Sequence, residues 1–212
     1  MQIYLTNELE FKEVQNLILN ELIFYDFKVD LNLYDALIIT SKNAIKALKK
    51  TKSILNFDLK VYAVGENTAK EAFNLGFKNV KYPKLSYASN LYEEFKEELR
   101  DKKCLYLRAK ELSSNLVQKL LGQNVNLTQI IAYENIYKKP NVCITHPCIV
   151  IFTSPSCVKY FLKTYDIKEE DYLIAIGQST AKQLLKYNNV LVCKNPNLEE
   201  CIQIAKNLKA NL

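Results

Sequence analysis

The chain has 212 residues, enough for one large domain or two of about 100 residues each. Apolar residues make up 49%, and only four Gly and five Pro occur, which excludes disordered and collagen-like classes. The formal charge of +6 is spread along the chain rather than gathered into the dense basic stripe of a nucleic-acid binder, and such a diffuse field suits acidic small molecules.

Short apolar runs fall at 3–5 (IYL), 36–39 (ALII), 61–64 (VYAV), 104–107 (CLYL), 148–152 (CIVIF), 173–176 (LIAI) and 190–193 (VLVC). Longer helical patterns separate them. Continuous apolar strands alternating with helices mark a parallel sheet covered on both faces. Two further segments, 22–31 (LIFYDFKVDL) and 129–140 (QIIAYENIYKKP), read as extended and partly alternating. Gly76 and Gly122 follow helices and read as C-caps.

No apolar run reaches the roughly 18 residues of a membrane span, and no basic segment followed by an apolar core opens the chain. A cytoplasmic protein is expected. Six cysteines without a C-x-x-C pair are expected to be reduced and mostly buried. A zinc site through Cys143 and Cys148 is disfavoured because His146, between them, is the only histidine, so no metal is expected. Neither a Ser–His–Asp nor a Cys–His set can be assembled without that one histidine, which reads as structural.

The pattern is written twice. AVGENTAKEAF (63–73) is matched by AIGQSTAKQLL (175–185), and ALIITSKNAIKAL (36–48) by IVIFTSPSCVKYFL (149–162). The spacing from Thr40 to Gly65 agrees with that from Thr153 to Gly177 to within one residue. A subtler pair joins 3–18 with 105–121. Two assemblies satisfy this order. One is tandem, with halves 1–103 and 104–212. The other is interleaved: the first short unit joins the end of the chain, and the middle forms an inserted domain. The two extended connecting segments favour the interleaved form, in which they cross side by side as an antiparallel ribbon.

Ser41 and Ser154 read as N-caps, with Pro155 at the first helical position. Gly65 and Gly177 let the backbone turn, and Asn67–Thr68 and Ser179–Thr180 open the next helices. In open parallel sheets such junctions gather beyond the carboxyl ends of the strands, where free N–H groups favour an anion. There is no dinucleotide or P-loop fingerprint. Tyr133, near Tyr137, is a weakly acidic hydroxyl on a connecting segment. It either donates a proton to a leaving group or packs between domains.

Taken in order, ALIITSKNAI, VYAVGENTAKEAFNLGF, LYLRAKELSSNL, IIAYENIY, IVIFTSPSCV and LIAIGQSTAKQLL resemble the uroporphyrinogen-III synthase family over essentially the whole chain. The resemblance implies two flavodoxin-like parallel-sheet α/β domains joined by a two-stranded β linker, with the N-terminal segment completing the C-terminal domain. The expected boundaries are 1–21 plus 141–212 for the discontinuous domain, 32–128 for the insertion, and 22–31 and 129–140 for the linkers. It implies a cofactor-free cyclisation of hydroxymethylbilane, a linear polyanionic tetrapyrrole, with loss of water and inversion of the last ring.

By position, Tyr133 matches the family's tyrosine that helps the hydroxyl leave. Ser179 and Thr180 match its Thr–Thr pair, and Thr153 and Ser154 its TSP motif. Thr40 and Ser41 match the weaker copy, where Lys42 replaces Pro. Arg108 matches a basic or glycine-rich turn, although Ala109 stands where a Gly is common. With Gly65, Thr68 and Gly177 these are the expected substrate contacts. No nucleic acid, membrane or metal partner is expected, and the chain is expected to be a monomer. The competing readings are a non-catalytic two-domain binder of an anionic small molecule and a nucleotide-using transferase.

Overall fold

The computed structural model describes residues 1–211 apart from 86, 113 and 196, and none of the candidate site residues falls outside that set. The first strands are β1 (Gln2–Leu5), β2 (Val14–Asn16) and β3 (Asn20–Phe24). The middle of the chain holds β4 (Ala36–Ile39), α1 (Lys42–Lys49), β5 (Lys60–Ala63), α2 (Glu66–Leu75), β6 (Asn79–Lys81), α3 (Ala88–Leu99), β7 (Lys103–Ala109), α4 (Leu116–Leu121) and β8 (Asn126–Tyr137). The last part holds β9 (Cys148–Phe152), α5 (Pro155–Phe161), β10 (Tyr172–Ala175), α6 (Gln178–Ala181), β11 (Val190–Val192) and α7 (Leu198–Asn211). The chain forms two compact units, one of Met1–Glu21 with Ile136–Leu212 (unit 1) and one of Leu22–Asn135 (unit 2).

Unit 2 is built on a sheet of order β3-β8-β7-β4-β5-β6, parallel from β8 to β6. Alternation along β4 and β7 feeds two cores. Leu37, Ile39, Leu105 and Leu107 meet Ile45 and Leu48 of α1 and Ala69 and Ala72 of α2. Ile38, Cys104 and Tyr106 point the other way, into Leu91, Phe95 and Leu99 of α3 and Leu116 and Leu120 of α4. Burying each such Leu or Ile contributes about 1.5–3 kcal/mol, which is why β4 and residues 104–107 of β7 are apolar throughout. Gly76 closes α2 in the left-handed region, at φ 119, a backbone state that disfavours any side chain. Gly122 closes α4 at φ −67, an ordinary helical value, so glycine is not required there.

Unit 1 has a wholly parallel sheet of order β11-β10-β9-β1-β2. β1 pairs along its length with β9, Gln2 with Cys148 through Leu5 with Ile151. This pairing makes the N-terminal segment part of the C-terminal sheet, the interleaved form of the two left open above. One face packs Phe152, Leu173 and Ala175 against Val158, Phe161 and Leu184; the other packs Ile3, Ile149 and Ile174 against Cys201, Ile202 and Ala205 of α7. The chain passes between units within β3 and β8. Lys138 N–H donates to Leu19, and Tyr25 N–H to Ala132, so the two strands run antiparallel.

The paired copies are not identical in structure. In unit 2 the chain leaving β7 forms α4, but residues 7–13 after β1 form no helix. That stretch holds Leu9 exposed and only Phe11 packed against the core, so no apolar stripe stabilises a helix. The Asn16 amide instead ties the loop through the carbonyls of Asn7 and Leu9. Likewise α2 has ten residues, whereas α6 has four before a short 3-10 turn, leaving Leu185 exposed.

Candidate functional site

In unit 2 the chain leaves β4 toward β5 and β6 on one side and returns to β7 and β8 on the other. β4 and β7 are therefore the strands between which the connections diverge, the usual place for a ligand crevice in an open α/β sheet. Their carboxyl ends carry Thr40, Ser41, Tyr106 and Arg108. The Thr40 and Tyr106 hydroxyls are hydrogen-bonded at 2.9 Å. Ser41 has extended backbone and caps α1, its Oγ accepting from Asn43 N–H at 3.2 Å.

Tyr133 joins this group through an irregularity in β8. Arg108 is paired with Ile131 but Ala109 with Tyr133, so Ala132 is an extra residue in the ladder. Ile130 and Ala132 face the core under α1 by ordinary alternation. The bulge puts Tyr133 into that same core, where it is 7% exposed. Burial raises the Tyr133 pKa above the ordinary phenol value, and a hydrogen bond from the Ser41 hydroxyl opposes the rise. Tyr133 is thus a neutral O–H donor at neutral pH.

The neighbouring junction is more closed. Gly65 precedes α2 in extended backbone, and its carbonyl accepts from Thr68 N–H at 3.1 Å. The Thr68 side chain is 7% exposed, so it braces the turn from inside. Glu66 stands in the first turn of α2 and pairs with Lys70 at 2.9 Å, which offsets the positive end of that helix. Arg108 spends its guanidinium within the unit: Nε donates to Gln129 Oε1 at 2.9 Å, and one terminal nitrogen to the carbonyls of Ala109 and Lys110 at 2.9 and 3.1 Å.

In unit 1 the equivalent divergence falls between β9 and β1. Thr153 and Thr6 close it reciprocally. Thr153 N–H donates to Thr6 Oγ1 at 3.1 Å, and Thr153 Oγ1 donates to the Thr6 carbonyl at 2.8 Å. Thr6 Oγ1 also donates to the Ile151 carbonyl at 3.0 Å and is 3% exposed. Ser154 caps α5 by accepting from Cys157 N–H at 3.2 Å, with Pro155 in the first turn. Gly177 precedes α6 in extended backbone, Ser179 is exposed, and Thr180 is 1% exposed. The structure therefore places Thr40, Ser41, Arg108 and Tyr133 together at the carboxyl strand ends of unit 2 and Thr153 and Ser154 at those of unit 1. Gly65 with Thr68, and Gly177 with Ser179 and Thr180, follow the adjacent strands.

His146 lies at the opposite, amino end of β9. Its Nδ1 bonds both oxygens of Asp171 at 2.8 and 2.9 Å, and Asp171 also accepts from the backbone N–H of Cys148 and Lys168. With Cys148 these form the one group among the described residues whose atoms could converge on a metal ion. Burial and the adjacent carboxylate push the Cys148 thiol far up, so it remains a thiol donating to Asp171 rather than a thiolate ligand. The arrangement is a hydrogen-bonded lock between chain segments. Cys143 is exposed and takes no part in it.

A family model described as uroporphyrinogen-III synthase HemD matches residues 18–203. The chain belongs to the uroporphyrinogen-III synthase family. A solved uroporphyrinogen-III synthetase from Helicobacter pylori is 31% identical at a TM-score of 0.82, covering 98% of this chain and 99% of that one. A uroporphyrinogen III synthase from Thermus thermophilus, a mutant form, shares the fold at 13% identity and a TM-score of 0.59, covering 99% of each chain. No curated protein sequence matches the chain significantly. As a uroporphyrinogen-III synthase the chain is an enzyme of tetrapyrrole biosynthesis.

Two arrangements had not been expected: Thr6 bonded to Thr153, and the trio in which the Tyr25 hydroxyl and Lys110 Nζ both donate to Glu134 Oε2, next in sequence to Tyr133. Thr6 had a visible signal: IYLT, LIIT and VIFT each end an apolar strand with threonine, at Thr6, Thr40 and Thr153. The trio had none, because its members come from three strands or strand ends.

Proposed function

We propose that the reaction is carried out at the carboxyl strand ends of β4, β7 and β8 in unit 2, with Tyr133 donating its O–H to the departing hydroxyl of hydroxymethylbilane. In the family's conversion the carbon–oxygen bond of the hydroxymethyl group breaks and the hydroxyl leaves as water, taking up one proton that the ring-closing step gives back. A carbon–carbon bond to the inverted last ring then closes uroporphyrinogen III. The observation that carries the reading is Tyr133 itself: a buried phenol, turned by a bulge toward Ser41, at the strand ends where the connections diverge. A phenol above its ordinary pKa is a poor full proton donor but a good neutral hydrogen-bond donor to a leaving oxygen. Its contribution is electrostatic positioning more than acid strength.

Around it, Thr40, Ser41 and the turn at Gly65–Thr68 offer hydroxyls and backbone N–H groups to the acetate and propionate side chains. In unit 1, Thr153, Ser154, Gly177, Ser179 and Thr180 offer a similar set. The buried Thr68 and Thr180 act through the shape of their turns, and Arg108 acts mainly through the bulge it holds. The net charge of +6 suits a polyanionic substrate.

The test uses freshly generated hydroxymethylbilane and separates the product isomers. Wild-type protein should raise the III isomer over the I isomer formed by unassisted closure. Tyr133→Phe should slow turnover on the order of ten- to a hundred-fold while keeping most isomer fidelity. Undiminished turnover would remove Tyr133 from the mechanism, and no III enrichment with wild type would leave a binding protein. Among the described residues no helix is long and apolar enough to cross a membrane, and all six cysteines are free thiols. We read the chain as a cytoplasmic monomer acting without a cofactor; sedimentation at working concentration and activity after exhaustive dialysis against chelator check this.

A further inference from the structure

The direction in which Tyr133 points depends on a single extra residue, Ala132. A bulge is a local departure from the ladder, and the chain must hold it against slipping back into register. Regular pairing beyond Arg108–Ile131 would return residue 133 to the opposite face of the sheet, away from Ser41 and α1.

The bonds around Ala132 show what holds it. On one side Tyr25 N–H donates to the Ala132 carbonyl at 3.0 Å. On the other, Lys110 N–H donates to the Tyr133 carbonyl at 2.9 Å. The side chains of the same two residues converge on Glu134, next in sequence to Tyr133. The Tyr25 hydroxyl donates to Glu134 Oε2, and Lys110 Nζ donates to the same oxygen at 3.1 Å. One carboxylate thus fastens the end of β3, the bulge of β8 and the end of β7. Arg108 adds a third tie across β7 and β8 through Gln129.

We propose that Tyr25, Lys110 and Glu134 form a positioning group for Tyr133. They pin the Ala132 bulge so that the phenol stays beside Ser41 throughout the reaction. This rests on the reading of Tyr133 given above. None of the three needs to touch substrate; they act through the backbone on either side of the bulge. The Tyr25 hydroxyl and the Glu134 carboxylate are charge-assisted partners and stronger than a neutral pair. Both are neighbours of the ladder bonds that define the bulge.

The experiment is a double-mutant cycle in the full chain. Tyr25→Phe and Glu134→Gln are made singly and each in combination with Tyr133→Phe, with kcat, KM and isomer ratio measured on fresh hydroxymethylbilane. Misplacing a catalytic group by a fraction of an ångström lowers kcat on the order of ten-fold, and KM should stay within about two-fold. In the Tyr133→Phe background the same substitutions should cost almost nothing further. Lys110→Arg, which keeps the cation, should retain most of the wild-type kcat, whereas Lys110→Met should not. Near-ultraviolet circular dichroism and the urea midpoint identify any variant that fails to fold. If Glu134→Gln unfolds, Tyr25→Phe, which keeps the ring, carries the cycle. Losses that add fully across the cycle would overturn the positioning role while leaving Tyr133 catalytic. A raised KM with unchanged kcat would overturn it by making the trio substrate contacts. Undiminished turnover in Tyr133→Phe would instead sink the parent reading, and the positioning role with it.

Discussion

Ser41 sits where stability and chemistry meet, and substitutions there should separate the two. Its Oγ accepts from Asn43 N–H to cap α1, and its hydroxyl is the group that opposes the rise of the Tyr133 pKa. Ser41→Ala removes both. The cap is worth about 1 kcal/mol, which for a unit of this size lowers the melting temperature by roughly 4 °C. Loss of the donor leaves burial unopposed, so the Tyr133 pKa should rise further and its hydroxyl should lose its tether. Ser41→Asp keeps the cap, because a carboxylate oxygen accepts from the same N–H, but it cannot donate to Tyr133. It should therefore melt near the wild-type temperature while shifting Tyr133 upward more than Ser41→Ala does. Thermal melts give the first quantity. A titration of carbon-13-labelled tyrosine gives the second, with the Tyr133 resonance identified by its loss in Tyr133→Phe. Equal destabilisation by Ala and Asp would refute the capping argument. An unmoved Tyr133 titration in both variants would refute the Ser41–Tyr133 bond.

Two further outcomes follow from unit 1. Thr6→Val keeps the shape but leaves the part-buried Thr153 N–H without its acceptor and the Ile151 carbonyl without the Thr6 hydroxyl, and should destabilise by about 1 kcal/mol in urea titration; no measurable loss would contradict this bonding. Burial alone would raise the Asp171 carboxyl, but bonds from His146, the backbone of Lys168 and Cys148, and the Cys148 thiol outweigh it and hold the pKa below the usual range. A depressed carboxyl contributes stability above its unfolded value of about 3.9 and loses it as pH falls through the folded value. Wild-type stability should therefore fall below about pH 4, and Asp171→Asn should be weaker at neutral pH with a flatter acid slope. Parallel slopes for the two proteins would refute the assignment.

Much of this was readable in the chain. Each of the apolar runs from Ile3–Leu5 to Val190–Cys193 lies on a strand of a parallel sheet, offset by a residue or two at its ends. Ser41, Ser154, Pro155 and Gly76 mark helix ends by rules that act within a few residues. Other signals misled or were silent. Gly122 is the C-cap of α4 as its position suggests, but its helical φ shows that the cap does not depend on glycine. The similarity of 3–18 to 105–121 does not bring a helix with it, because residues 7–13 lack the apolar stripe that a helix would bury. His146 finds Asp171 across 25 positions, a pairing that no local pattern encodes.

Alternation of apolar residues, strand-end threonines and the doubled Gly–x–x–Thr junctions are properties of short stretches, so the sequence alone determined the elements, their order and the α/β class. Which strand lies beside which is decided by backbone hydrogen bonds between distant residues. The pairing of Gln2–Leu5 with Cys148–Ile151 therefore chose the interleaved assembly over the tandem one. The same is true of the bulge at Ala132. One extra residue reverses which face a side chain takes, and only the ladder on both sides of β8 determines that Tyr133 turns toward Ser41.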